Sequence, residues 1–363
     1  METRNENTTP FRAVHPGGIL KEELEARGIK QKDFACHIGM QPTHLNALIK
    51  GKRNISPDVA DRLERELGIP ASFWMSLQSS YELDSKVIAK RDKEEEEAHS
   101  EVAAYNEVIS VSVFLKRMNE EYRTYSEQLR AIREHLGDFS PEELKVSFSG
   151  LFRKSAKQGL DERMITTWML LAYINAKKLQ VDGHFDKGNT TDLIEGLRAI
   201  FNENNDTIPR VTQLLSDHGI RFAIVDKVDK ASIDGFSFLM DGQPCIVVTK
   251  RYDAIDMFAF SIMHELGHVV LHLGEDRNKI VSLTDYDKSS QTEREADAFA
   301  ADALIPKEVW AKVPHIKPSM ASMQRVFTKW AKEIGYNKWL VLGRAAHELS
   351  MYRLWNDGSR RIK

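Results

Sequence analysis

Cysteine is almost absent from this 363-residue chain, which carries only Cys36 and Cys245, far apart. That scarcity excludes a disulfide framework and a cysteine zinc cluster. A surplus of either charge is missing too: 51 basic side chains face 54 acidic ones, a formal net charge of −3. Such balance rules out a chain that coats nucleic acid by bulk electrostatics, although a single domain can still bind it locally. No apolar run is long enough to cross a bilayer, so no membrane partner is expected. The opening residues, METRNENTTPFRAVHPG, lack the apolar core of an export signal. These absences predict a soluble, cytoplasmic protein. What is present, 42 % hydrophobic and 29 % charged residues, is globular in character and too long for one core, so several domains are expected.

Turn signals divide the chain. A disordered tail is expected over residues 1–10, followed by an all-α, five-helix domain over 11–83. His15-Pro16-Gly17-Gly18 opens its first helix, with Ile19, Leu20 and Leu24 on one face and Gly28 at the end. Gln31 to Ile38 forms a second helix, stopped at Gly39, and Pro42 starts a third that ends at Gly51. Ser56-Pro57 and Pro70 start the fourth and fifth, the last expected to reach Leu77. Residues 84–205 read as a helical middle segment, in which the charge run Arg91 to Glu97 is a solvated helix face or linker. Over 206–363 the pattern turns α+β. Strands are predicted at 221–225, 235–239 and 245–249, the last two joined by the hairpin signal Asp241-Gly242. A small antiparallel sheet should result, with Gly235–Leu239 or its hairpin partner at the edge.

The most informative residues are His264-Glu265-Leu266-Gly267-His268, inside an apolar run that starts at Met257. On a helix, positions 264 and 268 lie one turn apart on one face, so both imidazoles can converge on one metal ion. A catalytic zinc needs three protein ligands and an open position for water. Glu265 would lie beside that water as general base. The third ligand can come from a second helix, where Glu293 lies 25 residues beyond His268. Asp297, one turn further on, could hold the distal nitrogen of a ligand histidine. Glu295 is expected to point elsewhere, into solvent.

The strings HELGHVVLH and EREADAFAADALIP resemble the ImmA/IrrE family of zinc metallopeptidases, and Ile233-Asp234-Gly235 and Val341-Leu342-Gly343-Arg344 extend the likeness. The resemblance implies a zincin-like fold, Zn2+ held at His264, His268 and Glu293 (with Mn2+ as an in vitro substitute), and Glu265 as catalytic base. It also implies a transcriptional repressor as substrate. His272 matches the family pattern as well, and a role at the helix end or toward substrate is expected of it, since four ligands would close the site.

Gln31 to Gly51 has the layout of a helix-turn-helix, burying Phe34, Ala35, Ile38, Leu45 and Leu48. The second helix would enter the major groove by its N-terminal end. That places Gln41, Thr43, His44 and Asn46 near bases, and Gln31, Lys50, Lys52 and Arg53 near phosphates. Val14 to Leu20, Gly51 to Ser56 and Phe73 to Gln78 resemble the HigA-type antitoxins of the Xre helix-turn-helix superfamily. Their known behaviour implies a homodimer on a palindromic operator, repressing its own operon and neutralising a RelE-like toxin. Pro42 and Ala47 depart from relatives that carry base-reading side chains there.

Together the two resemblances predict a DNA-binding regulator with its own zinc endopeptidase domain, whose substrate is a repressor or the chain itself. The alternative is a non-proteolytic repressor or HigA-like antitoxin whose C-terminal domain is a sensor or partner-binding module.

Overall fold

The computed structural model describes residues 10–137, 139–148, 161–249, 253–274, 276–283, 290–315, 320–351 and 357–363. The tail expected to be disordered lies, apart from Pro10, outside the described residues. The chain forms two compact units, Met1–Glu101 with Arg123–Leu129, and Val102–Tyr122 with Arg130–Lys363.

The first unit is built from helices α1 (Pro16–Ala26), α2 (Gln31–His37), α3 (Pro42–Ile49), α4 (Pro57–Leu67) and the N-terminal part of α5 (Ala71–Val108). Leu20, Leu24, Phe34, Leu45, Leu48, Ile55, Leu63 and Trp74 form its core. Each such aliphatic side chain contributes roughly 1.5–3 kcal/mol on burial. Gly39, at φ +62°, closes α2 in a left-handed cap, and the Met40 amide donates to Ala35 O at 2.8 Å. Pro42 then begins α3, where its missing N–H costs nothing. The fifth helix does not stop near Leu77. It runs on to Val108, and Lys90–Glu94 and Lys93–Glu97 pair one turn apart on its exposed surface.

The second unit begins with α6 (Val111–Arg117), α7 (Tyr125–Leu136, its first turn in the other unit), α8 (Pro141–Phe148) and α9 (Glu162–Lys177). After α10 (Thr191–Glu203) and α11 (Thr207–Asp217) come β1 (Arg221–Ile224), β2 (Ile233–Met240) and β3 (Gln243–Val248). Then follow α12 (Ile255–Leu271), β4 (Lys279–Leu283) and α13 (Gln291–Leu304), and finally α14 (Lys307–Trp310), α15 (Met320–Ile334) and α16 (Lys338–Glu348). No described helix is long and apolar enough to cross a membrane.

The four strands lie in the order β1-β3-β2-β4. Asp241 (φ +52°) and Gly242 (φ +78°) make the expected tight turn between β2 and β3. The sheet is nevertheless mixed rather than antiparallel. The chain lays β2 one place away from β1, and the hairpin brings β3 back between them, parallel to β1. The edge assignment also changes. The strand β4, absent from the sequence reading, pairs with the free side of β2, so among the described residues β2 and β3 are interior and β1 and β4 are the edges.

Helix α12 packs on β2 and β3 and against α13 and α16. Ile255, Ile262, Met263 and Leu266 are buried in the core it shares with α10, α13, α15 and α16. Its first turn is tied to the C-terminal segment, where Arg360 Nε and Nη2 donate to the two oxygens of buried Asp256 at 2.8 and 2.7 Å.

Candidate functional site

Close helix packing assembles the site. At Gly267 a β-carbon would stand 3.1 Å from Phe299 Cδ1 and 3.3 Å from Ala296 Cα, so its absence lets α13 approach α12. That approach brings Glu293 to the two histidines. His264 Nε2 lies 3.0 Å from His268 Nε2 and 3.2 Å from Glu293 Oε2, and His268 Nε2 lies 3.6 Å from Glu293 Oε1. Three ligands at zinc distances in tetrahedral geometry would stand about 3.3 Å apart. The observed separations bracket that value.

The chemistry of the donor set points the same way. Asp297 Oδ1 lies 2.9 Å from His264 Nδ1. An ionised carboxylate only accepts, so Nδ1 carries the hydrogen and Nε2 of a neutral ring turns its lone pair into the site. Glu293 Oε2 is buried and faces His264 Nε2 at 3.2 Å. A buried, converging set of acceptors requires a cation. Without metal a proton serves: burial opposes the charge on His264, but Asp297 and Glu293 outweigh it and push its pKa up to about 10. Glu293 loses ground to burial and gains more from hydrogen bonding by His264 and His268, which holds it at about 2. The residues present therefore fit a divalent ion with nitrogen and oxygen ligands.

The site is nearly dry, with Glu265 at 1 %, His268 at 0 % and His264 at 5 % exposure. Glu265 Oε2 accepts a 2.6 Å hydrogen bond from Ser237 Oγ on β2. Two residues earlier on that strand, Gly235 leaves room for the carboxylate. A β-carbon at 235 would fall 2.1 Å from Glu265 Oε1. Burial raises the pKa of Glu265, against the pull of His268, His264 and the Ser237 hydroxyl.

His264, His268, Glu293 and Asp297 thus come together as the spacing anticipated. Ser237 was missed, and its signal was a polar residue between Phe236 and Phe238 on an otherwise apolar strand. His272 caps the C-terminal end of α12 and turns Nδ1 toward His268 Nδ1 at 3.0 Å. Glu295 does not point away into solvent alone: its Oε2 lies 2.9 Å from His272 Nε2.

In the first unit Gln41 is exposed at the N-cap of α3, Thr43, His44 and Asn46 are exposed on it and Lys50, Lys52 and Arg53 after it, and Gln31 is half-buried at the start of α2. Phe34, Ala35, Ile38, Leu45 and Leu48 are all buried.

A helix-turn-helix unit on the same chain as a buried centre of two histidines and a carboxylate defines the class: a regulator-type protein with a metallopeptidase-type domain. Comparison with known proteins specifies it further. Residues 20–74 match the Helix-turn-helix family, and residues 215–333 match the IrrE N-terminal-like domain, a peptidase family. The N-terminal part belongs to the first family, and residues 215–333 are similar to the second. The relatives found by overall similarity cover about a quarter of this chain or less. Virulence-associated protein I of Dichelobacter nodosus is 35 % identical over 83 residues, 23 % of this chain and 74 % of that protein. A HigA-family addiction module antidote protein from Coxiella burnetii is 32 % identical, covering 24 % of this chain and 96 % of that one, with a TM-score of 0.22. The antitoxin HigA of Pseudomonas aeruginosa, solved with its higBA promoter, is 35 % identical over 23 % of this chain and 90 % of that one, again with a TM-score of 0.22.

Proposed function

We propose that this protein is a transcriptional regulator whose N-terminal domain binds operator DNA as a homodimer and whose C-terminal domain is a zinc-dependent endopeptidase acting on a repressor or on the chain itself. One observation carries the reading: Nε2 of His264, Nε2 of His268 and a Glu293 oxygen converge, within 4.8 Å of one another, beside Glu265. In this reading the three hold Zn2+, or Mn2+ in vitro. The bound ion would polarise a peptide carbonyl and lower the pKa of water. Glu265 would take a proton from a water as its oxygen adds to the peptide carbonyl carbon and give it to the nitrogen as the C–N bond breaks, Asp297 would fix the ring of His264, and Ser237 would hold Glu265 until substrate enters. An extended peptide would pair with an edge strand, and β4 is the edge beside β2, which carries Ser237. Gln41, Thr43, His44 and Asn46 face bases while Gln31, Lys50, Lys52 and Arg53 neutralise phosphates.

The burial of Glu265 favours a second reading as well, since a base at 1 % exposure meets neither bulk water nor a peptide without movement. There the chain is a non-proteolytic repressor or HigA-like antitoxin, its second domain a sensor or a surface for a partner such as a RelE-like toxin. One experiment separates the two. The metal-loaded full chain is incubated with the products of its neighbouring genes, beside Glu265→Gln. Discrete fragments that vanish in the variant support the peptidase. Identical patterns in both, autolysis included, leave the second reading standing.

A further inference from the structure

The geometry points to a second support for the metal centre: Glu295 and His272 together orient His268, as Asp297 orients His264. This rests on the reading of His264, His268 and Glu293 as metal ligands and deepens it by giving a function to two residues outside that set.

The hydrogens can be placed by elimination. Glu295 Oε2, as an ionised carboxylate, accepts, so His272 Nε2 at 2.9 Å donates to it. His272 Nδ1 is then the lone-pair nitrogen of a neutral ring. It faces His268 Nδ1 at 3.0 Å, which must therefore carry hydrogen and donate. The remaining nitrogen of His268, Nε2, is left with its lone pair aimed at His264 Nε2 and Glu293. In this assignment every imidazole N–H has an acceptor, and both ligand rings present Nε2 as a donor of electrons. Reversing it would put a hydrogen on His268 Nε2, and the ring could not bind an ion.

The alternative role for His272, a fourth ligand, conflicts with the same geometry. Its Nδ1 is engaged by the far nitrogen of His268, and its Nε2 by Glu295. Each ligand histidine thus has its own anchor on α13, Asp297 directly for His264 and Glu295 through His272 for His268. Glu293, Glu295 and Asp297 all stand within the first two turns of that helix, so one element supplies a ligand and both anchors. His272 and Glu295 are positioning residues, and they act through His268.

The test is metal affinity of the full chain, measured by competition with a chromophoric chelator for Zn2+, with thermal unfolding of each metal-free variant as a control. His272→Phe keeps the ring shape and loses the acceptor. Affinity is expected to fall about 10- to 100-fold, as for Asp297→Ala, with metal-free stability little changed. His272→Asn places an oxygen near the position of Nδ1 and should recover part of that loss. Glu295→Ala, at a side chain 46 % exposed and so safe for folding, should weaken binding by less than His272→Phe. Unchanged affinity in His272→Phe overturns the inference while leaving the ligand set intact. Tighter binding in Glu295→Ala also overturns it, because a freed His272 would then be ligating the ion itself. His264→Ala and Glu293→Ala report on the ligands separately: if the wild-type chain holds no ion, or holds it as well without them, the underlying reading fails and this inference with it.

Discussion

At the scale of single residues, the site is governed by how acceptors share a cation. In the metal-free chain His264 binds its proton up to about pH 10, against 6.5 for the free side chain. A raised folded-state pKa stabilises fully below the unfolded value and is lost as pH rises through the folded one. The stability gap between wild type and His264→Gln, both held in chelator, should therefore shrink between pH 6.5 and about 10. Zinc affinity should run the opposite way, rising over that interval as the ion stops competing with the proton. Thermal unfolding across pH, with chelator and with zinc, checks both signs, and a gap that widens with pH would contradict the assignment. Gly235 gives a second residue-scale prediction. Alanine there puts a β-carbon 2.1 Å from Glu265 Oε1, and an overpacked core of this kind costs about 1–3 kcal/mol. Gly235→Ala should displace the carboxylate, lower denaturation midpoints by that amount and suppress cleavage, while zinc titration still finds one tight site.

At the scale of elements, legibility tracked how far each signal depends on neighbours in the chain. The helix-turn-helix was readable because its Gly39 stop and Pro42 start are local backbone effects. The clustering of His264, His268, Glu293 and Asp297 was readable because helical geometry fixes the spacing of the first two, and likewise of the last two. The pattern predicts a fifth helix that stops near Leu77 and a domain end at residue 83, yet no glycine or proline interrupts Ala71–Val108, and the charge run expected to be a solvated face or linker lies within that one helix. Strand β4 was invisible for another reason. Its five residues gain their order from pairing with β2, a partner 41 to 50 positions upstream, and pairing of that range leaves no periodic trace in so short a segment. The Asp256–Arg360 pair, 104 positions apart, was equally beyond sequence pattern, yet it fixes the start of α12. Arg360→Ala would leave Asp256, 7 % exposed, charged and unpaired. A loss of roughly 3–5 kcal/mol is expected, measurable by chemical denaturation, with zinc affinity reduced as α12 loosens. Just beyond α3, Lys52→Ala should weaken operator and random duplex alike and reduce the salt slope by about 1 if Lys52 meets phosphates as proposed. A loss confined to operator in fluorescence anisotropy would reassign Lys52 to base reading.

At the scale of the whole molecule there are two compact units with separate cores, and if they carry the two proposed functions each should answer only to its own perturbation. The core of the first unit includes Leu20, Phe34, Leu45 and Leu48. The core of the second surrounds α12, with Ile262, Met263 and Leu266 a turn or less from the histidines. An ion that binds the folded second unit, and not its unfolded chain, stabilises that unit by about 2.7 kcal/mol at a hundredfold excess over its dissociation constant. Calorimetry of the full chain should accordingly show two transitions, only one of which climbs with zinc. Leu45→Ala removes a side chain 1 % exposed and should cost the first unit about 2–5 kcal/mol. It should lower the zinc-insensitive transition and abolish operator binding, while zinc affinity and any Glu265-dependent cleavage persist. Glu265→Gln should do the reverse, keeping operator affinity. If zinc shifts both transitions together, or Leu45→Ala releases the ion, the two units unfold as one, and the linkage between DNA binding and metal chemistry is energetic as well as covalent.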